Sequence, residues 1–190
     1  MSEPAERRAT YEDLLQVPEH LVAELIDGSL CTHPRPSPPH ASATSVLGGD
    51  LNRSYQRGRG GPGGWWILDE PELHLGENVL VPDIAGWRRD RLPHLPEVAW
   101  FATSPDWVCE VLSPSNGFHD RARKMPLYAA AGIPWAWLVA PLEQTVEVFQ
   151  NLDGSWVQRM VVGRDEVVSL PPFEAVELVL SELWDTGADT

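Results

Sequence analysis

In Asp106-Trp107-Val108-Cys109-Glu110-Val111-Leu112 the run after Asp106 is apolar at both positions of the two-residue strand repeat, interrupted by one carboxylate, Glu110. Side chains alternate between the two faces of a strand, so a run apolar on both faces belongs in the middle of a sheet that is covered on both sides. Glu110 then occupies a place where an ionised group costs several kcal/mol unless it is paired, hydrogen-bonded or bound to a cation. The same tension recurs in Val79-Leu80-Val81-Pro82-Asp83-Ile84-Ala85-Gly86-Trp87, where Asp83 sits among apolar neighbours, and Lys124 follows in Asp120-Arg121-Ala122-Arg123-Lys124-Met125. Two carboxylates and a lysine in such settings ask for a common explanation.

Around these segments the chain reads as mixed helix and strand. Thr10-Tyr11-Glu12-Asp13 has the layout of a capping box and predicts a short helix that Pro18 ends. Leu21 to Cys31 predicts a hairpin turning at Asp27-Gly28, with Glu24 as an edge residue facing water or an auxiliary acid. His33-Pro34-Arg35-Pro36-Ser37-Pro38-Pro39 reads as an extended loop, and the spacing of Ala43, Val46, Leu47 and Leu51 predicts a helix from His40 to about Tyr55. A glycine-rich loop, 58–64, follows. Trp65 to Leu75 predicts one bent or two short strands around Pro71, and Val79 to Trp87 a further strand with a bulge or an edge at Pro82. A turn at 113–117 leads into a helix that Pro126 kinks or restarts just after Lys124, with Gly132 as its cap, and on it Asp120, Lys124 and Tyr128 recur every four residues. Trp135 to Val139 then gives a strand-helix-strand unit with a parallel crossover. A hairpin over Thr145–Gln150 and Ser155–Val162, weaker strands at 167–170 and 175–180, and a closing helical turn near Trp184 complete the pattern. The expected fold is therefore α/β of the mixed-sheet, α+β kind, with a central mixed sheet flanked by helices and extra hairpins at both ends. One domain over residues 10–184 is expected, with disordered ends at 1–9 and 185–190.

With 14 basic against 28 acidic residues the net charge is -14, which opposes unspecific adhesion to nucleic acid or anionic membrane. Most of the basic residues nevertheless cluster: Arg53, Arg57 and Arg59; Arg88, Arg89 and Arg91; Arg121, Arg123 and Lys124. Clusters that converge would form a local phosphate-attracting patch. The polar, acidic start and the lack of an apolar run approaching roughly 20 residues point to a cytoplasmic protein without a membrane span. Cys31 and Cys109 are too few for a disulfide framework. Lys124 is the single lysine, every other basic residue being arginine. Retaining lysine at one place suggests a need for a compact ammonium, against the plain alternative of a surface Asp120-Lys124 pair.

Pro82-Asp83, Glu110-Val111-Leu112 and Lys124 resemble the PD-(D/E)XK nuclease superfamily, with leucine where that superfamily commonly has lysine. The string Asp-Trp-Val-Cys-Glu-Val-Leu-Ser-Pro-Ser-Asn, followed by Asp120, Lys124, Tyr128 and Gly132, is similar to the Uma-two family of restriction-type endonucleases, in which the lysine sits on the following helix. The similarity extends over Glu24-Leu25-Ile26-Asp27-Gly28, Ser37-Pro38-Pro39-His40 and Trp135-Ala136-Trp137-Leu138-Val139. It implies a restriction-endonuclease-like core and an endonuclease that uses Mg²⁺ or Mn²⁺ to hydrolyse DNA, with homodimerisation as an accompanying expectation. By the resemblance, Asp83 and Glu110 hold the metal with the Val111 carbonyl as a further ligand, Lys124 positions or deprotonates water, and Glu24 is an auxiliary acid. Asp120 and Tyr128 orient the lysine, and His40, at a helix start, contacts phosphate or caps the helix. Arg121 and Arg123, from the third basic cluster, are further candidates for phosphate contact. The rival from another class is a silent nuclease-like fold that serves as a binding or assembly module. Gly-x-Ser-x-Gly, phosphate-loop and His-Glu-x-x-His motifs are absent. His119-Asp120 matches the metal pair of all-helical phosphohydrolases, against which the strand-rich pattern argues.

Overall fold

β8 (Trp107–Val111) is buried along its whole length, and the rest of the chain is layered on its two faces. The computed structural model of the protein describes residues 7–33, 36–114, 116–185 and 187. The expected disorder at 1–6, 186 and 188–190, and the parts of the two loops at 34, 35 and 115, lie outside the described residues.

In chain order the elements are α1 (Tyr11–Leu14), β1 (Val22–Ile26), β2 (Ser29–His33), and α2 (Pro38–Leu51) continued by a π-helical turn (Asn52–Gln56). Then come β3 (Trp65–Asp69), β4 (Glu72–Leu75), β5 (Asn78–Leu80), β6 (Ile84–Arg88), β7 (Trp100–Phe101) and β8. α3 (Gly117–His119) runs through a π-helical segment (Asp120–Lys124) into α4 (Met125–Ala130). β9 (Trp135–Ala140), β10 (Thr145–Leu152), β11 (Ser155–Gly163), β12 (Val167–Val168), β13 (Leu178–Val179) and a 3₁₀ turn (Leu180–Leu183) close the chain. No helix among the described residues is long and apolar enough to cross a membrane.

The strands form a six-stranded mixed sheet, ordered β11-β10-β9-β8-β6-β3, a five-stranded sheet, β2-β1-β5-β4-β7, and the small pair β12-β13. β8 and β9 are parallel, as a helical crossover between them requires, and β6 lies antiparallel on the other side of β8. Alternation along β8 sorts its side chains between two cores. Trp107, Cys109 and Val111 face a core shared with Ala43, Leu47 and Leu51 of α2 and with Phe173 and Leu180 near the C-terminus. Val108 faces the opposite core, built from Met125 and Tyr128 of α4 and from Ile26, Leu73 and Leu80 of the five-stranded sheet. Glu110 shares the parity of Val108, so it is directed toward the layer that carries α4 and β1.

Three expectations change on this frame. Val79–Trp87 is two strands in different sheets, because Pro82 offers no N–H to a ladder and the chain crosses between layers at Val81-Pro82-Asp83. Asp83 thus precedes β6 instead of lying inside a strand. Helix α2 starts at Pro38 with Ser37 as its N-cap, since proline is compatible with a first helical turn whose N–H groups have no partner within the helix. Glu24 lies in an interior strand and is 1% exposed, so it is no edge residue facing water. The Thr10–Asp13 capping box forms with both of its hydrogen bonds. The β1-β2 turn has Asp27 and Gly28 at φ 53° and 80°, the conformation that an Asp-Gly hairpin loop favours.

Candidate active site

Lys124 is the hinge between the layers. It enters from the π-helical segment, where the wider turn precedes Pro126 in the first turn of α4. Lys124 is 3% exposed, which excludes the surface Asp120-Lys124 pair. Its Nζ donates to Glu110 Oε1 at 2.9 Å, to Glu24 Oε1 at 3.0 Å and to the Val81 carbonyl at 2.9 Å. Glu24 Oε1 also accepts from the Val81 N–H at 2.7 Å. The crossing segment therefore has both polar groups of Val81 satisfied by the same acid-lysine pair, which answers the cost of a buried unpaired backbone group. Tyr128 reaches the site one turn further along and donates to Glu110 Oε1 at 2.6 Å. The face shared by Asp120, Lys124 and Tyr128 is directed inward.

Asp83 stands on the other side of Glu110. The Val111 N–H donates to Asp83 Oδ2 at 2.6 Å, tying the carboxylate to the end of β8. His40, 5% exposed on the first turn of α2, places Nε2 3.2 Å from Asp83 Oδ1. The cleft over these groups has a volume of about 470 Å³ and is lined among others by Glu24, His33, His40, Asp83, Glu110, Asp120 and Lys124. Solvent reaches it, since the Asp83 side chain is 15% exposed and that of His33 27%.

Four carboxylates around one ammonium leave an excess of negative charge. Burial pushes Glu110 well above the usual carboxylate range against the pull of Lys124, with Asp120, Asp83 and Glu24 adding to the rise. Asp120 is raised to about 6, again by burial first, and its Oδ2 is buried without a hydrogen-bond partner. Glu24 behaves oppositely. Burial opposes its ionisation, but Lys124, His33 and the Val81 N–H together outweigh that and hold it at about 2. Lys124 is itself raised, since the four carboxylates overcome the desolvation of its ammonium. His40 is raised despite burial by Asp83 and Asp120 and by the Val111 carbonyl. Carboxylates crowded round one cleft, one of them with an orphaned buried oxygen, suit an oxygen-donor cation site, so the residues fit a hard divalent cation.

The family model Uma2, described as "Putative restriction endonuclease", matches residues 9–181. The chain belongs to the Uma2 family. A crystal structure described as "a putative nuclease belonging to DUF820 from Anabaena variabilis ATCC 29413" has a TM-score of 0.75 and 25% sequence identity, covering 93% of this chain and 97% of that one. The fold is thus nuclease-like. No curated protein matches.

Within this Uma2 fold, Asp83, Glu110, Lys124, Glu24 and His40 come together, and Val111 joins them through its backbone. Arg121 and Arg123 do not line the cleft. Arg121 pairs with Glu147 of β10, and Arg123 lies 3.8 Å from Asp27. Nearby acids take up the charge of these two arginines outside the cleft. The second arginine cluster is likewise occupied, with Arg88 over the Trp65 ring, Arg89 over Trp66 and Arg91 on Asp106. Sequence reasoning missed that His33 and His119 reach Glu24. One ligand atom from each of the three lies within 4.8 Å of the others. Only the two-residue offset between His33 and Cys31, the strand partner of Glu24, pointed that way.

Proposed function

We propose that this chain is an endonuclease that hydrolyses phosphodiester bonds in DNA and requires Mg²⁺ or Mn²⁺. The convergence of Asp83, Glu110 and Lys124 on one solvent-connected cleft carries the reading. Asp83 and Glu110 would hold the cation, with the Val111 carbonyl as a further oxygen, a donor set suited to a hard ion that keeps several waters. Once bound, such an ion lowers the pKa of its water and offsets charge on the phosphate. Lys124, kept charged by the acids around it, acts by position and charge instead of taking a proton. Asp120, with one unpartnered oxygen and a pKa close to neutrality, is the group best placed to accept the water's proton. Glu24 and Tyr128 hold Lys124 and Glu110 in register, and His40 is the residue at the cleft for a phosphate oxygen. Cutting both strands with one such centre per chain calls for two copies, so a homodimer belongs to this reading, and light scattering in solution tests it.

The deciding experiment incubates purified protein with supercoiled plasmid and either metal. Nicking that Asp83→Ala abolishes supports the proposal, and nicking that survives the substitution ends it. One observation favours the silent-module reading: all three protons of Lys124 are engaged, by Glu24, Glu110 and Val81, leaving none for a substrate. Calorimetry that shows no Mg²⁺ binding, together with a stable protein complex, would establish that alternative.

A further inference from the structure

We propose that Glu24, His33 and His119 form a second cation site, built for a borderline divalent ion of the Zn²⁺ class, with Glu24 Oε2 and the Nε2 atoms of the two imidazoles as ligands. The three side chains come from three elements. Glu24 is in the middle of β1, His33 is the last residue of β2, and His119 is the last residue of α3. In the hairpin register Glu24 faces Cys31, so His33, two residues on, is its diagonal neighbour on the same face. The two imidazole rings meet edge to face at 5.1 Å between centroids.

Two independent observations point to a ligand there. Glu24 Oε2, His33 Nε2 and His119 Nε2 are all buried; His119 Nε2 has no hydrogen bond, and Glu24 Oε2 and His33 Nε2 face each other at 3.1 Å. A buried nitrogen without a partner is uncommon, and one beside a carboxylate-imidazole pair is explained if all three atoms face an ion. Their spacing agrees. His33 Nε2 lies 3.1 Å from Glu24 Oε2, close to the roughly 3.3 Å edge of a tetrahedron with metal-ligand bonds of about 2.0–2.1 Å. His119 would supply the third corner, its ligand atom lying within 4.8 Å of the other two.

Donor chemistry separates this site from the first. Two imidazoles and one carboxylate suit Zn²⁺ or Co²⁺, whereas Asp83 and Glu110 present oxygen alone. Glu24 would then serve both, its Oε1 on Lys124 and its Oε2 on the ion. A bound ion would staple the end of β2 to the start of the helix that carries Lys124, closing one wall of the cleft.

The test titrates metal-stripped full-length chain with ZnCl₂ against a chromogenic chelator, in excess Mg²⁺ to occupy the oxygen site. One Zn²⁺ per chain is expected, bound more than about tenfold more weakly by His119→Ala and by His33→Ala and unaffected by Asp83→Ala. Thermal unfolding should move upward with Zn²⁺ in the wild type and stay in place in the two histidine variants. Equal affinity in wild type and both histidine variants overturns the proposal, as does Zn²⁺ binding lost in Asp83→Ala, which would place the ion in the oxygen site. Should a histidine variant fail to fold, Co²⁺ added to the wild type decides. Intense visible bands of a low-coordinate site, bleached by one equivalent of Zn²⁺, support the inference, and the weak spectrum of octahedral Co²⁺ refutes it.

Discussion

Lys124 gives each of its protons to a separate acceptor, two of them buried acids, of which Glu24 has one further basic partner, His33 at 3.1 Å. Replacing it by methionine keeps the stem and removes the charge, leaving Glu110 without its cation and Glu24 with His33 and the Val81 N–H alone. Loss of one partner from a buried pair costs about 3–5 kcal/mol. Urea unfolding of Lys124→Met at pH 7 should show a loss of that order; an unchanged midpoint would mean that the acids relax to solvent. Asp120 carries the opposite sign. Its native pKa of about 6 lies above the ordinary 3.8, so the folded state binds the proton more tightly, and stability falls as pH rises from about 4 through 6. Glu24, held at about 2, contributes stability above its ordinary 4.5 that is lost as pH drops toward 2. Asp120→Asn should therefore be more stable than the parent at pH 7 by about 1–3 kcal/mol and equal to it near pH 4. Paired denaturation curves at the two pH values check this.

At the level of elements, the active face depends on two interruptions. The first is the break at Val81-Pro82-Asp83, which ends one strand and starts another in a different sheet. The second is the π-helical segment Asp120–Lys124, a wider turn of a kind often found at functional sites, here followed directly by Pro126. Neither interruption shows in apolar periodicity: the prolines predict a bulge or edge at Pro82 and a kink or restart after Lys124, but not the change of sheet or the π-helical turn. The two-residue β7 is also invisible, because its parallel pairing with β4 is set by distant chain and not by local pattern. The hairpins were legible, since Asp27-Gly28 and Asp153-Gly154 supply the positive φ that tight turns need. Strand β6 makes its own prediction. A Cβ on Gly86 would meet Ile67, Trp107 and Trp65 at 3.2–3.3 Å, so the flanking strands have no room for a methyl group. Gly86→Ala should lower stability by about 1–3 kcal/mol through overpacking, read as a lower urea midpoint with an unchanged slope.

For the molecule as a whole, charge sets the terms of any encounter with DNA. A body of net charge -14 repels a polyanion, and most of its clustered arginines are already paired with acids or stacked on tryptophans. Association should therefore depend on a cation in the cleft. Fluorescence anisotropy with a labelled duplex is expected to show binding in Ca²⁺, which fills an oxygen site, and none in a chelator. Equal binding in both would shift the contact surface away from Asp83 and Glu110. Residue types and order were enough to mark β8 as a central strand, Glu110 and Lys124 as a pair needing an explanation, and the family, because these follow from local alternation and from motifs a few residues long. The burial of Glu24, the diversion of Arg121 and Arg123 into ion pairs, the contact of His40 with Asp83 and the meeting of Glu24 with His33 and His119 were settled only in three dimensions. Each depends on which sheet a strand joins and on the rotation of a helix about its axis, and those are chosen by packing among residues far apart in the chain.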